Sequence, residues 1–187
     1  MAEKHELLIA GVGGWGIVTM GDILAKVALK QYPYVTWFPS YATAMRGGES
    51  ECCVIFSDTK IPSPIIYQSG TILVLSAARL KAFEDRVRPG GLMVVETTGA
   101  TEEQKVERAD INVRYVSAME AALGLGNVKN ANMVMLGLYQ GISNAVKSEL
   151  LLEEIEARFG RDGREEVAAE RRRAVEAGME LAKGLGQ

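Results

Sequence analysis

The chain has 187 residues, 48% of them hydrophobic and 24% charged, which excludes wholesale disorder and fits one domain with at most a short appendage. A net charge of −3 argues against a nucleic-acid groove covering most of the surface, because phosphate binding needs clustered Lys and Arg. At this size a chain buries roughly 70% of its unfolded surface, so neither a disulfide nor a metal is needed for folding.

Residues 6–14 form a short apolar run ending in glycine, and Ile17, Met20, Ile23, Leu24, Val27 and Ala28 follow at helical spacing. This predicts strand, tight turn, helix. Tyr34–Phe38 reads as a second strand stopped by Pro39. Cys52–Ser57 and Ile72–Ser76 read as further strands. Ala78–Val87 is expected to be a helix, Pro89-Gly90-Gly91 a turn, Leu92–Glu96 a strand and Ile111–Val116 an edge strand. Strands alternating with helices predict an α/β chain with a Rossmann-like, doubly wound, mostly parallel sheet. Only Tyr41–Ser57 departs from the pattern, because a strand arrives there without an intervening helix.

From Ala118 the pattern is helical. Gly137 and Gly141, four apart in the apolar stretch Asn130–Val146, predict close packing of another element, since each interior glycine costs a helix about 1 kcal/mol. Ser148 is expected to cap a helix lined by Leu151, Ile155 and Phe159 and ended by Gly160. Residues 164–183 form a charged helix containing Arg171-Arg172-Arg173. That run is either a solvated face or, through Val167, Val175, Met179 and Ala182, a latch onto a partner chain. The expected division is a Rossmann-like domain over 1–147 and a C-terminal helical extension over 148–187.

No signal-peptide pattern opens the chain, and its longest stretch free of Asp, Glu, Lys and Arg, Ile61–Ala78, contains Pro62, Pro64 and Gly70. A cytoplasmic protein without membrane spans is expected. Cys52 and Cys53 are neighbours, so on a strand they point to opposite faces; they read as reduced packing residues.

Gly11, Gly13 and Gly16 match G-x-G-x-x-G between a strand and a helix, with Gly14 beside them. Such a loop brings a phosphate to backbone amides, or is a tight turn with no ligand. A nicotinamide dinucleotide is disfavoured: no acid ends the second strand to bond a ribose, and none occurs between Asp22 and Glu49. Trp15 adds bulk inside the loop. Arg46-Gly47-Gly48 offers a forked donor beside open amides for an anion, or is a turn with a surface arginine. Catalytic machinery is thin. His5 is the lone histidine, no metal-ligand spacing occurs, and Asp58, Glu96 and Asp110 read as caps or solvated acids.

Read together, Gly11–Gly16, Val35–Tyr41, Met45–Gly48, Cys52–Ser57, Pro89–Gly91 and Asn130–Gly137 resemble, in order, the gamma subunit of the 2-oxoacid:ferredoxin oxidoreductases, leaning to the 2-oxoglutarate over the pyruvate type. The resemblance runs from about Leu7 to Leu152. It implies a subunit of a complex that converts a 2-oxoacid and coenzyme A to acyl-CoA and carbon dioxide while reducing ferredoxin. Thiamine diphosphate and iron–sulfur clusters are then expected on alpha, beta or optional delta partner chains and not on this one. The isolated chain is expected to be inactive, to bind neither nucleic acid nor membrane, and to self-associate. It would supply assembly and coenzyme A contacts through Gly11, Gly13, Gly14, Gly16, Ser40, Tyr41, Arg46, Gly47 and Gly48, with no catalytic residue or metal ligand. The sequence departs from the family at Trp15, usually Gln, and at Ala42 and Ala44, usually Gly and an acid. The alternative reading is a stand-alone nucleotide- or coenzyme-binding protein without activity.

Overall fold

A computed structural model describes residues 3–41, 49–98, 100–101 and 104–185. They fall into two compact units, Met1–Ser117 and Ala118–Gln187.

The first unit is built on a sheet of six strands: β1 (Lys4–Val12), β2 (Tyr34–Tyr41), β3 (Glu49–Ser57), β4 (Ser69–Val74), β5 (Val87–Glu96) and β6 (Asn112–Val116), in the order β2-β3-β1-β4-β5-β6. Strands β1, β4, β5 and β6 pair in parallel, and only β3 runs against its neighbours. The mostly parallel α/β sheet expected from the alternation is therefore present. The stretch without a helix is the β2–β3 hairpin.

Helix α1 (Ile17–Ala28) follows β1, and α2 (Leu80–Glu84) follows β4 after a 3₁₀ turn at Ala77–Arg79. The two helices lie on opposite faces. On one face α1 packs so closely that a Cβ on Gly21 would overlap the Cys52 thiol and lie 3.0 Å from the Trp37 indole nitrogen. On the other, Ala77, Leu80 and Phe83 join Leu8, Ala10, Cys53, Ile72, Val74, Met93 and Val95 in one core cluster. Alternation along β3 thus sends its two cysteines into two different layers, as period-2 geometry requires.

Two strands run past their expected ends. β2 continues through Pro39 to Tyr41, which an edge strand tolerates because its outer side needs no donor. The expected turn at Pro89-Gly90-Gly91 lies inside β5: the register jumps from Ser69↔Val87 to Thr71↔Leu92, and Gly90 (φ 75°) supplies the left-handed residue of that bulge. The expected helix at 78–87 shortens to α2, since Val87 already belongs to β5.

The second unit is helical: α3 (Ala118–Gly124), α4 (Ala131–Ser143), α5 (Ser148–Phe159) and α6 (Glu165–Gly184). Helix α4 is buried from Ala131 to Gln140. Its glycines do what their spacing predicts. Gly137 faces the Val175 backbone, Gly141 faces Met179 and Ala182, and in return Gly178 faces Val134. Val175, Met179 and Ala182 of the stripe on α6 therefore close onto α4 within the chain, while Val167 is exposed. Ser148 begins α5 without capping it; its hydroxyl instead accepts from the Gln140 amide at 3.3 Å. In the arginine run, Arg172 is tied to Glu156 and Glu176, and Arg171 lies 3.9 Å over the Phe159 ring. The compact units part after Ser117, whereas the sequence placed a boundary at 147/148. The difference is α3–α4, which pack with α6 through these glycine contacts. Among the described residues, no helix is long and apolar enough to cross a membrane.

Candidate functional site

In parallel sheets whose crossovers leave to opposite faces, the crevice beyond the carboxyl ends of the diverging strands is where ligands bind. Here those strands are β1 and β4, tied at their ends by the Leu75 amide donating to the Ala10 carbonyl at 2.8 Å. The glycine loop leaves β1 at this point. Gly11 still belongs to the strand, and a Cβ there would come within 2.9 Å of Ile17 Cδ1 and 3.2 Å of Leu75 Cβ. Left-handed backbone falls at Gly14 (φ 97°) and Gly16 (φ 74°), positions that bulkier residues adopt only with strain. The Trp15 amide closes the turn on the Val12 carbonyl at 3.4 Å. Gly16 stands at the start of α1, where no side chain caps the helix and no acid occupies the first turn. An uncapped helix start offers free N–H donors, so this end of α1 suits an anion.

Register carries the second candidate segment to the same edge. Gly11 is opposite Ser50, and Ser50 is opposite Tyr41, so Ser40, Tyr41 and the glycine loop end at one level of the sheet. The connection from β2 to β3 starts and finishes there. Arg46, Gly47 and Gly48, with Ala42 and Ala44, lie in it, outside the described residues.

Between the ends of β1, β4 and β5 is a cleft of about 100 Å³. Trp15 forms one wall, and Ser76, Glu96, Thr98 and Gln104 supply its polar lining. Glu96 was expected to be a cap or a solvated acid. It caps, accepting the Thr98 amide at 3.0 Å and the Thr98 hydroxyl at 2.5 Å, but it is buried, with 3% of its surface exposed. The sequence pointed to none of Ser76, Thr98 or Gln104. Ser76 follows β4 whereas Thr98 and Gln104 follow β5, and the β4–β5 register brings the two stretches together. The one legible signal was that Ser76 and Glu96 each close an apolar run.

The other reactive groups lie elsewhere or are held inert. His5 sits at the opposite end of β1, stacked on Phe56 at 4.9 Å and bonded to Glu3 at 2.9 Å. Burial pushes the Cys52 thiol up to about 12 and raises Cys53 as well, so neither is a ready thiolate. Asp58 accepts the Glu3 amide, and Arg108 grips Asp110. Among the described residues, no three His, Cys, Asp or Glu side chains converge to hold a metal.

Residues 6–181 match the family described as pyruvate ferredoxin/flavodoxin oxidoreductase. The chain is 32% identical over 176 residues to the ketoisovalerate oxidoreductase subunit VorA of Methanothermobacter thermautotrophicus, covering 94% of this chain and 36% of that one. It is 31% identical over 139 residues to the 2-oxoglutarate synthase subunit KorC of Methanothermobacter marburgensis, covering 72% and 75% of the two chains. Among solved structures it resembles the 2-oxoglutarate:ferredoxin oxidoreductase of Magnetococcus marinus, solved with 2-oxoglutarate, coenzyme A and succinyl-CoA bound. The TM-score is 0.88 at 24% identity, over 98% of this chain and 32% of that one, a likeness of fold. The chain thus spans 36–37% of the length of the two VorA relatives it matches.

Proposed function

Because the chain belongs to the pyruvate ferredoxin/flavodoxin oxidoreductase family, we propose that it is the gamma-type module of a multi-subunit 2-oxoacid:ferredoxin oxidoreductase of the cytoplasm. The complex would convert a 2-oxoacid and coenzyme A to acyl-CoA and carbon dioxide and pass two electrons to ferredoxin. The observation that carries this reading is the family match over residues 6–181, joined by a relative of subunit size, KorC, of which the match covers 75%.

The two cysteines of this chain do not fit an iron–sulfur cluster of its own. A cluster needs about four thiolates facing one space. Cys52 and Cys53 instead point into different layers of the sheet, both as buried thiols. The proposal assigns thiamine diphosphate and the clusters to alpha and beta chains, with ferredoxin reached through them, and gives this module assembly and a share of the coenzyme A site. Its glycine loop and the uncapped start of α1 fit the phosphates of such a ligand, with Ser40 and Tyr41 ending at the same sheet edge, and Arg46, Gly47 and Gly48, a few residues further along the chain, are proposed to add contacts. Alone, the chain is inactive and self-associates.

The test is a tagged pull-down from native anaerobic extract, assayed for coenzyme-A-dependent reduction of a viologen dye with pyruvate, 2-oxoglutarate and ketoisovalerate. Activity in the eluate with one acid supports the reading and names the substrate. A chain recovered without partners, inactive with every acid, replaces it with the stand-alone binding protein. Within an active complex, Arg46→Ala is expected to raise the apparent KM for coenzyme A about tenfold, the scale of one lost charge-assisted bond, with assembly intact. An unchanged KM removes Arg46 from the site.

A further inference from the structure

Strand β2 is one edge of the sheet, and among the described residues its outer side pairs with no strand. Which residues face that side follows from the rest of the sheet. The Ala10 carbonyl accepts the Leu75 amide on the β4 side, so on β1 the neighbours Ile9 and Gly11 point toward β3. Carried through the two antiparallel registers, this turns Tyr34, Thr36 and Phe38 toward β3 and leaves Val35, Trp37 and Pro39 facing outward. Proteins usually blunt such an edge with charge. Strand β2 carries no charged residue, and Tyr34, Trp37 and Phe38 are 42%, 39% and 39% exposed.

The order of residues narrows the occupant. Pro33-Tyr34-Val35-Thr36-Trp37-Phe38-Pro39 reads by class the same in both directions about Thr36: proline, aromatic, large apolar, threonine. A strand that pairs antiparallel with its own copy opposes residues equally spaced about the two-fold axis, so a near-palindrome gives each position a partner of its own class. An axis at Thr36 sets Tyr34 against the second copy's Phe38 on one face and Val35 against its Trp37 on the other. Val35 and Trp37 are the outward-facing residues, so they exchange the backbone hydrogen bonds, and the prolines close the ladder at both ends. Thr36 then meets its own image in a non-hydrogen-bonded pair, where side chains come closest. Its hydroxyl is buried and, among the described residues, has no hydrogen-bond partner. Turned about the Cα–Cβ bond, each threonine supplies the other's.

We propose that β2 is the interface for a second copy of this chain, formed by antiparallel edge-to-edge pairing with the two-fold axis at Thr36. The pairing rests on the preceding reading for the self-association of the isolated chain and names its surface. Aromatic side chains bury about 150–250 Å² each, so the exposed two-fifths of the three rings on each copy amount to roughly 500 Å² in all. Stable interfaces bury about 1,200 Å² or more, so this dimer is weak and depends on concentration.

Sedimentation velocity of the full chain, from about 1 to about 500 µM, is expected to show a monomer–dimer equilibrium. Val35→Pro removes an outward donor from each copy without touching the β3 ladder, and should weaken the dimer about tenfold. Thr36→Cys should give a covalent dimer under mild oxidation, against a low background because both native thiols are buried. Tyr34→Cys should not, because the two copies of that residue stand more than about 13 Å apart along the paired strands. The two cysteine variants keep the test alive should Val35→Pro not fold.

A chain that stays monomeric over the whole range overturns the proposal. So does a dimer that a folded Val35→Pro leaves intact, or one in which Tyr34→Cys cross-links as readily as Thr36→Cys. The outcome is separable from that of the pull-down. Cross-linking through Thr36→Cys in a chain that recovers no 2-oxoacid activity keeps the interface and removes the enzyme reading. An active complex whose free subunit stays monomeric does the reverse.

Discussion

A buried carboxylate has to find donors, and Glu84, the last residue of α2, finds three. Its Oε1 accepts the Glu107 amide at 2.7 Å and the Arg108 amide at 2.8 Å, and the Lys81 ammonium stands 3.4 Å from Oε2. Burial pushes this carboxyl up, but the two amides and the ammonium outweigh it and hold it below the usual glutamate range. A group depressed in the folded state adds stability above its unfolded pKa, and the contribution disappears as pH falls through the folded value. The difference in urea midpoint between the parent chain and Glu84→Gln should therefore be widest near neutrality and close as pH drops below about 4. A difference independent of pH would show that the side chain acts by packing alone. The residue matters locally because it pins the start of 107–110, where Arg108 also donates to the Glu84 and Val87 carbonyls.

Helix α4 shows what glycine spacing means one level up. A helix interior avoids glycine unless something else requires it, and here two backbones meet. A Cβ on Gly137 would fall on the Val175 carbonyl, and one on Gly178 on the Val134 carbonyl, so neither helix can accommodate it by rotating a side chain. Gly137→Ala should cost at least about 2 kcal/mol despite the better helix propensity of alanine, because α4 and α6 must move apart. Gly124→Ala, at a position with open space around it, is the matched control and should be neutral or slightly stabilising. Equal urea midpoints for the two variants would mean that the helices cross less closely than described. At the same scale, Asn144 (φ 47°) ends α4 in the left-handed region, and Gln140 holds the exit through the Val146 amide and carbonyl.

Across the whole molecule, what was legible in the sequence is what local rules govern. Apolar period and turn residues located the strands, the glycine loop, α1 and the close helix pair. The absence of a helix between Tyr41 and Ser57 marked the irregular side of the sheet. Features decided by pairing were not legible. Pro39 and Pro89 looked like stops, yet one lies on an outer edge and the other beside a bulge, where a missing N–H costs little. The grouping of α4 with α6 depends on contacts between residues some 40 positions apart, such as Gly137 with Val175, so 147/148 looked like a boundary when only local composition was weighed. The candidate site divides in the same way. Its glycine loop is one contiguous motif and was visible. Its cleft is assembled from Trp15 after β1, Ser76 after β4, and Glu96, Thr98 and Gln104 at and beyond the end of β5, and no spacing announces it.

The reversed strand β3 also sets an order of assembly. Its pairing with β2 joins Tyr41 to Ser50 across a short connection, whereas the parallel partners Leu7 and Thr71 must close a loop of some sixty residues. Loop-closure entropy makes the first pairing quick and the second slow. A hairpin of Tyr34–Ser57 can therefore form early and present β3 as a template on which β1 docks. In an ordinary doubly wound sheet β1 waits for a crossover helix on either side. The glycine loop, at the far end of β1, is then among the earlier parts of the sheet to be fixed, before β4 and β5 arrive to close the cleft.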